Sequence, residues 1–375
     1  MSKKIAFGST LLNRGMNAGG IDGIGHYCQE LLHQFNLNKS EIQIQRYSFG
    51  ESDPSHEISL YPSYSSHLLR AAIGIRSQSQ TPDDAFQSAD LIHATDHLVP
   101  LGLKKPLIAT VMDVIPLSHP EFIRSKLAPL KAKLWKYLSN RADKIITISE
   151  FSKNEIAYWM NYPKDQITAI PLGVDQKYFE LIDHNEIQKT LNKHNIHQPF
   201  FLFIGSLQPR KNLTRILEGH RMLPGNLSKE IPLVVVGREF WDDGNIHKSL
   251  QLAVQEKRCI RLDYVSEWEK RCLLKSALAL CFISLYEGFG LPILEAFASG
   301  TPVISSNTSS IPEIAGQCAT LVDPFDPNEI GQAMAEIIND EEKRRNLIEA
   351  GLIRAKNYSW AKTANSTMEI YQTLL

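Results

Sequence analysis

Two carboxylates flank a glycine-rich turn within residues 284–302. Glu287 comes just before the turn, and Glu295 follows it with seven residues between the two. The glycines permit a tight backbone, and Pro292 stands where the first turn of a helix would begin. The two side chains could therefore reach different parts of one extended ligand, one binding a sugar hydroxyl and the other a ribose diol. The plainer alternative is that Glu295 only complements the helix dipole and Glu287 is a solvated turn residue.

The turn itself has the features of an anion site. Free N–H groups at residues 290–293 and the positive end of the helix dipole would face a phosphate placed above the strand ends. Glu287 lies just before this anion site, and we expect it to be catalytic. The residues predicted to bind the ligand of this turn are Gly288, Phe289, Gly290, Leu291 and Glu295.

Two adjacent cations, Arg210 and Lys211, follow the first predicted strand of the second half of the chain. Paired positive charges at the carboxyl end of a strand suit the negative charge of a diphosphate. With these cations in place no metal is required, and we expect none to be bound. The alternative is a solvated basic loop.

The first half of the chain offers two further candidates. Glycines at 19, 20, 23 and 25 precede a predicted helix at residues 26–35. This run lacks the third glycine of GxGxxG and follows no strand directly, which disfavours nicotinamide chemistry. Asp113 follows a predicted strand and could orient an acceptor or a sugar, with a structural role as an equal alternative.

Two other polar features receive structural interpretations. His93 ends a largely apolar run and is predicted to be a packed core histidine. The hydroxyl run Ser306–Ser310 precedes a predicted helix, so we expect it to supply an N-cap.

The elements that must position these residues alternate along the 375-residue chain. Short β-rich apolar runs followed by helical patterns predict parallel sheets with crossover helices. The predicted fold class is α/β, with two tandem Rossmann-like doubly wound domains. The predicted strands lie at 4–7, 42–47, 91–93, 107–111, 144–148 and 167–170, and then at 200–204, 233–236, 260–262, 280–283, 302–304 and 319–322.

The predicted domains span residues 1–180 and 195–356. A polar linker is placed at 175–199, with a short helix in its middle, and the segment 357–375 is expected to be helical from Ala361. The irregular region 49–84 is rich in Ser, Pro and Tyr and is expected to shape a pocket.

Composition excludes several classes of protein. Hydrophobic residues make up 43% and charged residues 22%, which is typical of globular proteins and unlike disordered chains. A formal net charge of −1 argues against a nucleic-acid ligand. No window of about 18 apolar residues is present, so we expect no membrane-spanning segment. Five cysteines without a CxxC pair predict reduced, buried thiols in a cytosolic protein.

Taken in order, these motifs resemble the retaining glycosyltransferases of family 4. Glu287 to Glu295 looks like the family's E-x7-E motif. The similarity covers nearly all of the chain, from the glycine-rich segment 19–25 to the closing Tyr358–Trp360. The resemblance implies the GT-B architecture, in which two Rossmann-like domains face a central cleft, with 357–375 crossing back to the first.

The resemblance also implies roles for individual residues. It assigns Arg210 and Lys211 to the leaving group, and Gly23 to the loop whose backbone approaches the donor phosphate and the transferred sugar. Asp113 fits an acidic position of the family. Met112 departs from the pattern, because many members carry there a His that contacts the donor sugar, and Met cannot donate a hydrogen bond.

The implied function is transfer of a hexosyl unit from a nucleoside diphosphate sugar to a hydroxyl acceptor, without a cofactor. The acceptor would be a glycan or a lipid-linked glycan. Members that resemble this chain often make bacterial surface polysaccharide from GDP-mannose, so we expect GDP-mannose first and a UDP-hexose second. Two rivals are a nucleotide-sugar epimerase on the same fold and a non-catalytic nucleotide-sugar-binding module.

Positive charge is concentrated at residues 122–144, where seven cations and one carboxylate give a local charge of +6. Apolar residues at helical spacing among these cations predict an amphipathic helix. Two interpretations stay open. The helix could be solvated, with its apolar stripe packed on its own sheet. Alternatively, its cations could bring a cytoplasmic, peripheral protein to the anionic inner leaflet.

Overall fold

The computed structural model describes residues 3–37, 42–50, 57–59, 63–66, 68, 86–101, 104–125, 127–238 and 244–375. The chain forms two compact units. Unit 1 comprises residues 1–173 and 360–375, and unit 2 comprises residues 174–359. The last helix therefore belongs to unit 1 although it follows unit 2 in the sequence.

Unit 1 is built on a parallel sheet of seven strands in the order β3-β2-β1-β4-β5-β6-β7. The strand order reverses between β1 and β4, where Ile5 pairs with Leu91. Ligands of doubly wound folds bind beyond the carboxyl ends of the strands at such a point. The strands are β1 (Lys3–Gly8), β2 (Ile42–Ser48), β3 (Glu57–Ser59), β4 (Leu91–Ala94), β5 (Leu107–Thr110), β6 (Lys144–Thr147) and β7 (Ile167–Ala169).

Unit 2 has a six-stranded parallel sheet in the order β10-β9-β8-β11-β12-β13. Its order reverses between β8 and β11, which are hydrogen-bonded neighbours. The central strands are continuous apolar runs, because helices cover both faces of a parallel sheet. The strands are β8 (Phe201–Ile204), β9 (Leu233–Val236), β10 (Cys259–Leu262), β11 (Ala279–Phe282), β12 (Val303–Ser306) and β13 (Thr320–Val322).

The helices alternate with these strands, as crossover connections require. Local signals fix several helix ends: Ser149 caps the backbone N–H of Ser152, and Ser266 and Glu269 form a reciprocal capping box. In unit 1 the helices are α1 (Thr10–Asn17), α2 (Gly23–Leu37), α3 (Ile115–Ser118), α4 (Ala128–Ser139) and α5 (Glu150–Met160). Those of unit 2 are α6 (His184–Lys193), α7 (Leu213–Arg221), α8 (Leu227–Glu230), α9 (Asn245–Gln255), α10 (Glu267–Ser276), α11 (Leu291–Ala298), α12 (Ile311–Ala315), α13 (Pro327–Asn339) and α14 (Glu341–Ala355). The last helix, α15 (Trp360–Gln372), completes unit 1.

All twelve predicted strands are confirmed, with ends shifted by at most two residues. The sequence analysis missed β3, an edge strand that pairs with β2 through Arg46 and Glu57. It lies within the irregular region 49–84, most of which falls outside the described residues. The stretch 175–199, interpreted above as a linker, lies in unit 2, where α6 packs against α10.

His93 is a buried core residue, as predicted. Its Nδ1 lies 2.7 Å from the Tyr371 hydroxyl of α15, and its Nε2 lies 2.7 Å from Thr110 Oγ1. Burial lowers the pKa of the imidazole to about 3, so the ring is neutral near pH 7. The network therefore ties α15 to the centre of the unit 1 sheet without burying a charge.

All five cysteines carry free thiols, and four of them are buried as predicted, whereas Cys318 is half-buried. Among the described residues, no helix combines the length and the apolar character needed to cross a bilayer.

Candidate active site

Two loops follow the neighbouring strands β8 and β11 of unit 2, at the point where the strand order reverses. We call residues 205–212 the cation loop and residues 283–290 the acid loop. The cation loop carries Arg210 and Lys211, and the acid loop carries Glu287. Parallel strands end at the same edge of a sheet, so this topology brings together side chains that are 76 and 77 residues apart in the sequence.

Glu287 makes ion pairs with both cations. Its Oε1 lies 2.5 Å from Lys211 Nζ, and its Oε2 lies 2.9 Å from Arg210 Nη1. Glu287 and Lys211 are both buried, with exposed fractions of 7% and 9%. Burial by itself would raise the pKa of the Glu287 carboxyl, but the charges of Arg210 and Lys211 outweigh it and hold the pKa at about 2. The site therefore keeps a buried, ionised carboxylate, and Glu287 is not a solvated turn residue.

One backbone hydrogen bond and two side-chain-to-backbone hydrogen bonds join the two loops. Leu285 N–H donates to Arg210 O at 2.7 Å, and Arg210 Nη1 donates to Tyr286 O at 3.2 Å. Asn212 Nδ2 donates to Ile283 O at 3.1 Å. These bonds fix the spacing between the cations and the carboxylate, and thus preorganise the charges.

The acid loop ends at the N-terminus of α11. Gly290 has φ +112°, a backbone conformation that L side chains rarely adopt, and Pro292 stands in the first turn of the helix. Phe289 and Gly288 are buried, whereas Leu291 is half-buried. The predicted turn and helix start are therefore present, with backbone N–H groups at the positive end of the helix dipole.

Glu295 lies in α11 and has partners different from those of Glu287. Its Oε1 accepts hydrogen bonds from Lys270 Nζ at 2.7 Å and from the Tyr178 hydroxyl at 3.0 Å. The Tyr178 hydroxyl oxygen also contacts a Glu267 carboxylate oxygen, so its single proton is shared between the two carboxylates. Burial, and after it the negative charge of Glu295, raises the pKa of Tyr178. The sequence analysis missed Tyr178 and Lys270, because neither belongs to a recognisable motif.

Gly23 and Asp113 belong to unit 1. Gly23 is the first residue of α2, and a Cβ built on it would meet no atom within 4 Å, so packing does not require glycine there. Asp113 is half-buried, and its Oδ1 accepts the Ile115 N–H at 3.1 Å at the start of α3. Asp113 and Met112 both line a cavity of about 480 Å³ beyond the ends of β4 and β5.

The N-cap prediction for the hydroxyl run is wrong. Ser310 stands immediately before α12, but its side chain caps no N–H of that helix. Its Oγ instead donates to the acid loop, 2.8 Å from Glu287 O and 2.9 Å from Phe289 O. The sequence showed only that the run follows a strand, and the pairing of β12 with β11 brings it to the acid loop.

The chain consists of two Rossmann-like units. One of them carries paired cations and a buried carboxylate at the point where its strand order reverses. This is the architecture of a GT-B glycosyltransferase. Comparison with known families agrees. Residues 21–178 match the family model described as Glycosyltransferase Family 4, and residues 185–354 match the one described as Glycosyl transferases group 1. The chain belongs to the family 4 glycosyltransferases.

Individual relatives support this assignment, and a solved structure shares the fold. The O-antigen chain mannosyltransferase B of Escherichia coli is 30% identical over 286 residues, which cover 76% of this chain and 74% of that protein. The serotype-specific mannosyltransferase WbdA of Escherichia coli is 28% identical over 68% of this chain but only 31% of its own length. Anabaena HepE, solved with UDP and glucose, shares the fold with a TM-score of 0.77 at 15% identity, over 99% of this chain and 100% of that one.

Proposed function

We propose that this glycosyltransferase moves a mannosyl unit from GDP-mannose to a hydroxyl acceptor, retains the anomeric configuration and needs no metal ion. The observation that carries the proposal is the buried Glu287 carboxylate, held by Arg210 and Lys211 at the switch point of unit 2. A UDP-hexose is the second choice of donor. The names of the two mannosyltransferase relatives support mannose as the transferred sugar. Gly23 is proposed to be one of the residues that contact the donor.

The proposed chemistry divides charge between the two loops. As the glycosyl bond breaks, negative charge builds on the leaving β-phosphate, and Arg210 and Lys211 stabilise it. Positive charge builds at the anomeric carbon, and Glu287 positions and polarises the sugar beside it. Attack on the same face, with the leaving phosphate taking the proton of the acceptor hydroxyl, would retain the configuration.

The acceptor is proposed to be a glycan or a lipid-linked glycan that binds unit 1. The cavity beside Asp113 supports this, because it is mostly apolar yet contains a few polar groups, as ligand sites commonly do. Trp135 and Lys131 of α4 also line it, and an indole face and an ammonium group both suit a sugar that carries phosphate.

Incubation with donors tests the proposal. GDP-mannose should be turned over faster than a UDP-hexose, with slow hydrolysis when no acceptor is present, and chelation with EDTA should leave the rate unchanged. Proton NMR of the glycosylated product should show the anomeric configuration of the donor. An isomerised donor would indicate an epimerase instead, and binding without turnover a non-catalytic module. Loss of activity on chelation, restored by Mg²⁺ or Mn²⁺, would contradict the metal-free chemistry.

We further propose that helix α4 brings unit 1 to the anionic inner face of a membrane. The buried residues of α4 include Ala128, Ala132 and Leu138. Four large apolar side chains, the first at the residue just before the helix, lie instead on one exposed face, at steps of three, four and three residues. They are Leu127, Leu130, Leu134 and Tyr137, with exposed fractions of 58%, 66%, 41% and 60%. We call these four residues the apolar stripe.

Charge supports a membrane over a second protein copy as the occupant of this surface. Lys131 and Lys133 are exposed on either side of the apolar stripe. In a pair of identical helices these cations would face one another, whereas anionic lipid would attract them by about 1 kcal/mol per basic residue. The stripe would then enter the region between headgroups and acyl chains.

Vesicle co-sedimentation measures this contact. Binding should require anionic lipid, weaken with added salt and fall sharply when Lys131, Lys133 and Lys136 are changed to Glu. The matched control changes Lys229, Lys248 and Lys257 to Glu, which are exposed residues of unit 2, and should keep the binding. Equal sedimentation with neutral and anionic vesicles would contradict the proposal, and a concentration-dependent dimer would identify a second copy as the partner.

A further inference from the structure

The hydroxyl run at the end of β12 bonds to the backbone of the acid loop at successive residues. Ser306 Oγ donates to Ser284 O at 2.7 Å, and Thr308 Oγ1 donates to Leu285 O at 3.3 Å. The acid loop follows the end of its strand and has left the sheet ladder. Its carbonyl groups therefore need other donors, and the hydroxyls of the run supply them.

The last two hydroxyls of the run hold the backbone of Glu287 from both sides. The N–H of Glu287 donates to Ser309 Oγ at 3.1 Å. Ser310 Oγ lies 2.8 Å from Glu287 O and 2.9 Å from Phe289 O, and Ser310 is fully buried. The residue that carries the paired carboxylate is thus fixed at its amide nitrogen and at its carbonyl oxygen.

Ser309 adopts an unfavourable backbone conformation to make its contact. Its φ is +57°, in the left-handed region, which is unfavourable for a non-glycine residue. Glycine would relieve this strain but would remove the Oγ that accepts the Glu287 N–H. Strain of this kind persists where the surrounding structure requires it, and such sites are commonly functional.

We propose that Ser309 and Ser310 form a clamp that sets the position of the Glu287 carboxylate against Arg210 and Lys211, and that Ser310 is a positioning residue for glycosyl transfer. The proposal rests on the function proposed for Glu287. A catalytic group carried on a loop requires such support, because a displacement of about 1 Å can lower a rate about 100-fold.

The variant Ser310→Ala tests the clamp against a matched control, Ser306→Ala. Both changes remove a buried hydroxyl that donates to the acid loop, but only Ser310 bonds to Glu287. The two variants should lose similar amounts of thermal stability. Only Ser310→Ala should lower kcat, by about 10- to 100-fold, with KM for the donor nearly unchanged. Equal kcat values in the two variants would overturn the proposal.

A double mutant separates positioning from general loosening of the fold. If Ser310 acts through Glu287, Ser310→Ala should cause little further loss of kcat in a Glu287→Gln background. The same fold-loss in both backgrounds would contradict the clamp. Should Ser310→Ala fail to fold, Ser309→Gly removes the other contact, and glycine tolerates the positive φ.

Crystal structures of Ser310→Ala and Ser309→Gly assess the clamp without any assay. We expect the Glu287 carboxylate to leave hydrogen-bond distance of Lys211 Nζ in these variants. An unmoved carboxylate would overturn the clamp even if turnover falls. If the wild-type protein turns over no sugar nucleotide, only the proposed function is refuted. The position of the Glu287 carboxylate in the variants would still test the clamp.

Discussion

Glu287→Gln is expected to lower kcat about 100-fold or more while changing donor affinity much less. The amide keeps the size of the side chain but carries no charge. In the proposed chemistry, the contact of Glu287 with the sugar strengthens only as positive charge develops at the anomeric carbon. Steady-state kinetics with GDP-mannose measures both parameters. Unchanged turnover in a folded Glu287→Gln protein would contradict the assignment.

The low pKa of Glu287 also predicts how kcat and the free energy of unfolding depend on pH. The pKa of Glu287 is held at about 2, below its ordinary value, so the carboxylate is ionised throughout the range of ordinary assays. Its contribution to the free energy of unfolding is present above the ordinary carboxyl pKa and is lost as the pH falls through about 2. The kcat profile should therefore show no ionisation of Glu287 between about pH 4 and pH 8. The control for Glu287→Gln is Glu349→Gln, which makes the same change at an exposed residue and should leave kcat unchanged.

Lys211→Ala and Arg210→Ala should each cost about 2–4 kcal/mol of transition-state stabilisation, measured from kcat/KM. In the proposed chemistry, each change removes a preorganised positive charge beside the leaving phosphate. The two losses should not add, because both cations contact the same carboxylate. A loss of less than about tenfold in kcat/KM for both variants would leave the cation loop without its proposed role.

The two cations should differ in their effect on stability. Lys211 is buried and its Nζ lies 4.7 Å from the centre of the Phe282 ring, whereas Arg210 is only partly buried. Lys211→Ala should therefore lower the melting temperature more than Arg210→Ala, because it removes the closer partner of a buried charge and leaves a cavity. Arg221→Ala removes an exposed cation of α7 as a control and should change neither quantity appreciably.

The sequence alone predicted the strands and the anion turn, because their causes are local. A run such as Leu233–Val236 is apolar at every position, so both of its faces must be buried. A strand of a parallel sheet meets this requirement, because helices cover the sheet on both faces. The turn at Gly290 depends on a backbone conformation that glycine adopts readily, followed by a proline suited to the first helical turn. The short edge strand β3 was missed because three residues carry too little pattern, and its pairing with β2 defines it.

Only the tertiary structure decided which surfaces and side chains meet. The helical spacing in α4 allowed either of two faces to pack, and the face with Ala128 and Ala132 packed, because small side chains let a helix approach its neighbours closely. The apolar stripe was thereby left exposed. Ser310 was equally able to cap its own helix or to bond to the adjacent loop, and the pairing of β11 with β12 placed the loop within reach. The contact of Glu287 with Arg210 and Lys211 likewise depends on the hydrogen bonding of β8 to β11, because no local pattern specifies which strand ends become neighbours across 76 residues of chain.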